Sequence, residues 1–187
     1  MNRTIIGISL MTLLWALVAA QPAEAARPFY VELEANGVPI EGEPSFCPPS
    51  GSCPVGGVDV QGQIEGLSFD YKVNSVGGRV GSGEIRIVKR VDKSTPLLHR
   101  ALDQSQVINA TIRFFRENAN NGKTEIFHIM TLSDGSITGI APWLTTGVGG
   151  GDGSDPFLEA FTISFQELRI TAEPSGNEHE YTFSPIN

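Results

Sequence analysis

The chain has 187 residues, 40% of them hydrophobic and 18% charged, with 21 glycines, 12 prolines and a formal net charge of −8. An acidic chain of this kind repels phosphate backbones, and no run of Lys or Arg reverses the sign locally, so nucleic acid is not an expected partner. The length suits one domain able to bury a real core.

Met1 to Thr4 carries one positive charge, Ile5 to Ala20 is apolar apart from small residues, and Gln21 to Ala25 ends in Ala-x-Ala. This layout predicts an export signal over residues 1–25, cut between Ala25 and Ala26. The apolar stretch is short for a bilayer span, and Pro22 follows it directly. The mature chain, 26–187, is therefore expected to be one domain, secreted or periplasmic, with no membrane anchor.

Phe29 to Glu34 reads as a first strand ending at the turn signal Asn36-Gly37. Pro39 to Gly57 is rich in Pro, Gly and Ser and reads as a long loop. It holds the only cysteines, Cys47 and Cys53, six positions apart. In an oxidising compartment that spacing predicts a local disulfide that staples the loop. A redox-active or metal-binding pair lacks the C-x-x-C spacing and a nearby His.

Ile64 to Val73 alternates, with Leu67, Phe69, Tyr71 and Val73 on one face and Ser68, Asp70 and Lys72 on the other, as a strand requires. Ser75-Val76-Gly77-Gly78-Arg79-Val80-Gly81-Ser82-Gly83 reads as a glycine-rich loop. It is no phosphate cradle, because no Gly-Lys-Ser/Thr follows and the next segment reads as a strand. That strand is Ile85 to Val91. Next, Thr95 is placed to cap a helix, Pro96 suits its first position, and Leu97, Leu98, Ala101 and Leu102 form one apolar stripe. A lone amphipathic helix is expected to lie against a sheet or barrel.

Ala110, Ile112 and Phe114 alternate with Thr111 and Arg113. Asn118 to Lys123 reads as a hairpin turn, Glu125 to Leu132 as the return strand, Asp134-Gly135 as a further turn and Ser136 to Trp143 as another strand. Thr145 to Pro156 is a second glycine-rich loop. It lacks the ligand pattern of a calcium loop and the copies of a calcium-binding repeat. Phe157 to Ala172 reads as a long strand whose apolar face switches near Gln166-Glu167, as at a β-bulge. Tyr181 and Phe183 suggest a short closing strand.

The histidines, His99, His128 and His179, are scattered, and no catalytic motif or clustered carboxylate pair appears. No enzymatic activity, cofactor or metal is expected, although an envelope hydrolase whose His and carboxylates meet only in space is a third, weaker reading.

Four segments in this order resemble the haemolysin-coregulated protein (Hcp) family, the tube protein of the bacterial type VI secretion system. They are Phe29 to Leu33 with Gly42-Glu43, Ile64 to Tyr71, Val88 to Leu98 and Phe157 to Phe165. The third is the most distinctive: a strand followed by Asp92-Lys93-Ser94-Thr95-Pro96 at a helix start. The resemblance implies two packed antiparallel sheets forming a β-barrel-like domain with one short helix on the side. It also implies a homohexameric ring, stacking into a tube, with effector proteins as cargo, and it offers no active site. The loop Ser75 to Gly83 falls where the family has a ring-stacking element. The export signal and the cysteine-bearing insert Pro44 to Pro54 differ from the family pattern. A monomeric exported barrel that binds a ligand and has lost assembly stays open as the alternative.

Overall fold

A computed structural model describes residues 29–76, 79–144 and 157–183, with side chains described for all of these but 74–76, 79–82 and 143–144. The expected export signal and cut site, Gly77-Gly78 and the loop from Thr145 to Pro156 lie outside the described residues. The first strand, β1 (Phe29–Ala35), buries Phe29, Val31, Leu33 and Ala35 in the main core. It turns through Asn36 and Gly37 onto β2 (Val38–Pro39), with Ala35 opposite Val38. Both turn residues have positive φ, 50° and 75°, which the Asn-Gly pair tolerates and which matches strand twist.

The loop predicted over 39–57 is longer and partly ordered by a small ladder, β3 (Pro54–Val55) against β4 (Val58–Asp59). β5 (Ile64–Val76) and β6 (Arg79–Arg90) then form a long antiparallel hairpin. Two expectations are corrected here. Leu67 does not share the core face of Phe69 and Tyr71: a register shift between Gly66 and Ser68 leaves it exposed. The stretch from Ser75 to Gly83 is mostly not loop. Val73 pairs Gly83, Asn74 pairs Ser82 and Val76 pairs Arg79. The pairing continues to Val76 and Arg79 with one register shift between Asn74 and Ser75, which leaves Gly81 out of the ladder.

The helix α1 (Thr95–Asp103) follows, with Leu98 and Ala101 buried in the core and Leu97 and Leu102 packed at its margin. Its cap position is Ser94, not Thr95. The Thr95 hydroxyl is instead engaged by an acidic partner described below. β7 (Ile108–Glu117) returns through the predicted turn, where the Asn121 and Gly122 amides donate to the Asn118 carbonyl.

β8 (Thr124–Leu144) is one strand of 21 residues, so the expected turn at Asp134-Gly135 is absent. Asp134 takes φ 51°, which bends the strand without reversing it. The first part of β8 pairs with β7, and the part beyond Gly135 with β9 (Phe157–Phe165). The predicted face switch near Gln166 does occur. It separates β9 from β10 (Glu167–Ala172), which pairs with β8 and with the closing strand β11 (Asn177–Thr182).

The pairings β8-β7-β1-β5-β6-β9 return to β8 and close a six-stranded antiparallel barrel, with β10 and β11 continuing off β8. Tyr71, Phe165, Tyr181 and Phe183 pack where this flap meets the barrel. Burial pushes the Tyr71 hydroxyl up to about 12, with Tyr181 adding to the shift. The helix reaches from the end of β6 to the start of β7 and packs its buried face into the barrel core. β5 pairs with β1 only through Gly66, and β6 with β9 only through Gly83. Beyond these points the β5–β6 hairpin pairs only with itself, as an arm.

Candidate functional site

The side chains with the densest polar contacts lie where β6 runs into α1, at the Asp92 to Pro96 motif. Residues 89 and 90 are neighbours, so their side chains point to opposite faces of the sheet. Ile85, Ile87 and Lys89 share the inner face of β6, as Glu159, Phe161 and Ile163 do on β9. Lys89 and Glu159 are direct cross-strand partners, and their side chains are 1% and 0% exposed.

Inside the barrel mouth, the Lys89 ammonium lies 2.7 Å from Glu159 Oε1 and 2.8 Å from Asp92 Oδ1, and it also donates to the Arg90 carbonyl. The Thr95 hydroxyl donates to the same Glu159 oxygen at 2.6 Å and accepts from the Asp92 amide at 3.2 Å. Glu159 Oε2 is buried and receives no hydrogen bond from the protein. Asp92 Oδ1 also accepts from the Ser94 amide at 2.9 Å and its hydroxyl at 2.6 Å, which fixes the turn into α1. Burial pushes the Asp92 carboxyl upward. Hydrogen bonds from Lys89 and Ser94, the Lys89 charge and the Glu43 amide outweigh it and hold the group below the usual carboxylate range.

On the outer face, Arg90 donates to Glu65 at 3.1 Å, and Glu65 accepts from the Ser45 amide at 2.9 Å and its hydroxyl at 3.2 Å. Lys93, from the motif, pairs with Glu41 at 2.9 Å. The Glu43 amide donates to Asp92 Oδ2 at 3.0 Å and ties the inner node to the outer one. The Gly42-Glu43 step is thereby explained. A Cβ on Gly42 would stand 2.7 Å from the Ile64 Cα and 2.8 Å from the Gln63 carbonyl oxygen, and without one the Gly42 amide reaches the Gly62 carbonyl at 2.8 Å.

Residues 41–61 thus form a strap over the outer face of the barrel. Beneath it lies a second apolar cluster of Tyr30, Cys53, Val60 and Phe115, with Cys47, Val55 and Ile126 at its margin. Cys47 and Cys53 are joined in a disulfide. Phe46, 54% exposed, packs edge-on against Tyr30. Burial first, and the Glu65 charge second, push the Tyr30 hydroxyl far above its ordinary pKa.

The motif residues Asp92 to Pro96 and the cysteines therefore lie at the two ends of one polar-and-apolar strap system. The Ser75 to Gly83 hairpin stands apart from it as the arm. Sequence reasoning missed Lys89, Glu159, Glu65 and Arg90. The signal was available for the first two: each is a charged residue at a position whose strand neighbours two away are apolar, and the two signs are opposite. The histidines sit on three different elements. His128 packs against Phe114 and His179 against Tyr181. Burial holds the His128 imidazole below its usual pKa. Among the described residues no three His, Cys, Asp or Glu side chains gather as metal ligands, and no helix is long and apolar enough to cross a membrane.

A closed antiparallel barrel with one helix packed into its core and a hairpin arm is the class of fold the chain defines. Residues 49–171 match the family model described as type VI secretion system effector, Hcp, and the chain belongs to that family. Solved structures agree on the fold. The secreted protein Hcp3 from Pseudomonas aeruginosa is 18% identical at a TM-score of 0.65, over 84% of this chain and 98% of its own. A double tryptophan mutant of Hcp1 from E. coli EAEC 042 is 17% identical at 0.66, over 85% and 99%. Another Hcp protein is 15% identical at 0.70, over 86% and 100%. No curated protein matches the chain at a comparable level.

Proposed function

We propose that the chain is an exported, non-enzymatic Hcp-type subunit that assembles into hexameric rings and holds effector proteins as cargo. Membership of the family carries this reading. The polar centre supports a structural role, since Glu159 is buried and Asp92 nearly so, and both accept from Lys89 and from the turn into α1. The β5–β6 arm supports assembly, because it extends past the barrel with its strands paired only to each other. Light scattering on the mature chain at high micromolar concentration tests it. A mass of six subunits is expected, and a monomer alone would refute it. Export through the general route predicts an intact mass that begins at Ala26, and a chain from the cell envelope that retains residues 1–25 would refute that part.

A monomeric binding module is the second reading. It is favoured by the acidic edge strand β11, whose Glu178 and Glu180 are both paired to Arg169. Charged edges oppose strand addition between copies.

A further inference from the structure

We propose that the Cys47–Cys53 bridge is a redox latch: oxidised, it closes the strap 41–61 over Tyr30 and Phe115, and reduced, it lets the part between Phe46 and Val60 lift while the barrel stays folded.

The strap has two kinds of attachment. Its base is held by bonds that do not involve the bridge, from Gly42 to Gly62, Glu43 to Asp92 and Ser45 to Glu65. Its outer part is held differently. The Cys47 amide donates to Pro44, the Cys53 amide to Asp59 and the Val60 amide to Cys53, all within the strap itself. At its far end Gln63 donates its amide to the Val60 carbonyl at 3.0 Å and its Nε2 to the Asp59 carbonyl at 3.1 Å, so that end is a hinge. From Phe46 to Gly57 what fixes the strap to the barrel is apolar contact, and Cys53, 4% exposed, sits among Tyr30, Val60 and Phe115. The bridge is therefore both the cross-link and a share of the apolar anchor. Opening it frees the 47–53 loop and weakens that anchor, but touches neither the main core nor the Lys89 node.

The two sulfurs differ in access. Cys47 is half-buried and borders a depression of about 260 Å³ walled by Pro44, Pro49 and Lys93, whereas Cys53 is buried. An incoming thiolate therefore attacks Cys47 Sγ. The S–S bond breaks, Cys53 leaves as thiolate and takes up a proton, and a mixed disulfide forms on Cys47. The second thiol of the reductant then displaces Cys47 and leaves with its own disulfide. Two electrons pass from an external dithiol to the bridge, and a protein disulfide as oxidant runs the steps in reverse. The partner class is a thiol–disulfide exchange protein of the compartment that receives the chain. This inference is independent of ring formation and applies to monomer and ring alike.

Hydrogen exchange read by mass spectrometry, with and without dithiothreitol, tests it. On reduction, exchange of amides 47–60 should rise roughly tenfold or more, while β1 and β8 stay within about twofold and far-UV circular dichroism is unchanged. The Cys47→Ser/Cys53→Ser variant should match the reduced protein. With limiting glutathione, the mixed disulfide should be found on Cys47 well above Cys53. Unchanged exchange in 47–60 would make the bridge a passive staple. Protection lost throughout would make it a support of the whole fold. A mixed disulfide mainly on Cys53 would reverse the proposed entry. Each of these outcomes overturns the latch as stated.

Discussion

Replacing Lys89 by Met removes one charge from the barrel mouth and keeps most of the side-chain volume. Glu159 is then left fully buried, with Thr95 as the only donor to Oε1 and none to Oε2. Breaking a buried pair by removing one partner costs about 3–5 kcal/mol, because the remaining charge is uncompensated. At about 2–4 °C per kcal/mol for a domain of this size, the melting temperature should fall by roughly 6–20 °C. The double variant Lys89→Met/Glu159→Leu removes both charges of the pair and leaves Asp92 held by Ser94 and the Glu43 amide, so it should recover at least about half of the single variant's loss. Thermal and urea melts at pH 7 on the four members of this cycle give the coupling energy directly. If the single variant stays within about 1 kcal/mol of the parent, or the double variant is no more stable than the single, the pair is not the organising element of the mouth.

Gly42→Ala should cost about 1–3 kcal/mol, since its Cβ must displace the Ile64 and Gln63 backbone; a urea midpoint equal to the parent would contradict this. Asp92 has its folded pKa below its unfolded value, so its contribution is present above about pH 4 and is lost as pH falls through the folded value. Stability measured from pH 5 downward should fall less steeply in Asp92→Asn than in the parent. His128 is also held below its unfolded pKa, by burial. The unfolded chain then binds the extra proton, so stability is complete above about pH 6.5 and declines below it. His128→Phe should flatten the segment from pH 7 to 5, and an unaltered slope would show that another group is responsible.

Alternation carried most of the fold. Phe29 to Glu34, Ile64 to Val73 and Ala110 to Phe114 announce half-buried strands by their period of two, and Ser-Thr-Pro before a leucine stripe announces the helix. The errors have local causes. Asp134-Gly135 is a strong turn signal, yet the chain continues because β7 and β9 both pair with β8 on either side of it, and tertiary pairing overrides the dipeptide. Ser75 to Gly83 reads as loop from its glycines, which are also what a hairpin with little side-chain bulk contains. The centre at Lys89 stayed hidden for a different reason. Its members lie 70 positions apart in the chain, and only strand register brings Lys89 opposite Glu159. The motif Asp92 to Pro96 pointed to the right place through family resemblance, but not to the partners that explain it.

Barrel closure limits how copies of this chain can associate. Because β8 pairs with both β7 and β9, the six barrel strands leave no open seam. Among the described residues the free edges are the two-residue β2, the two-residue strands of the β3–β4 ladder, the acidic β11 and the two sides of the arm. β2 ends in Pro39, which lacks an amide donor, and β11 carries Glu178 and Glu180, so both are poor templates for strand pairing. The arm is different. Its β5 side pairs only with β6 from Ser68 onward and carries Asp70 and Lys72 near the barrel, whereas from Val73 to Gly83 the only charged residue is Arg79. An assembly built on backbone pairing therefore has to use the arm. Val76→Lys together with Val80→Lys places two charges on it, in backbone that pairs only within the arm. Light scattering should then show the assembly reduced to monomers, with the melting temperature of the monomer kept. A hexamer of undiminished stability in that variant would move the contact from the arm to the side-chain faces of the barrel.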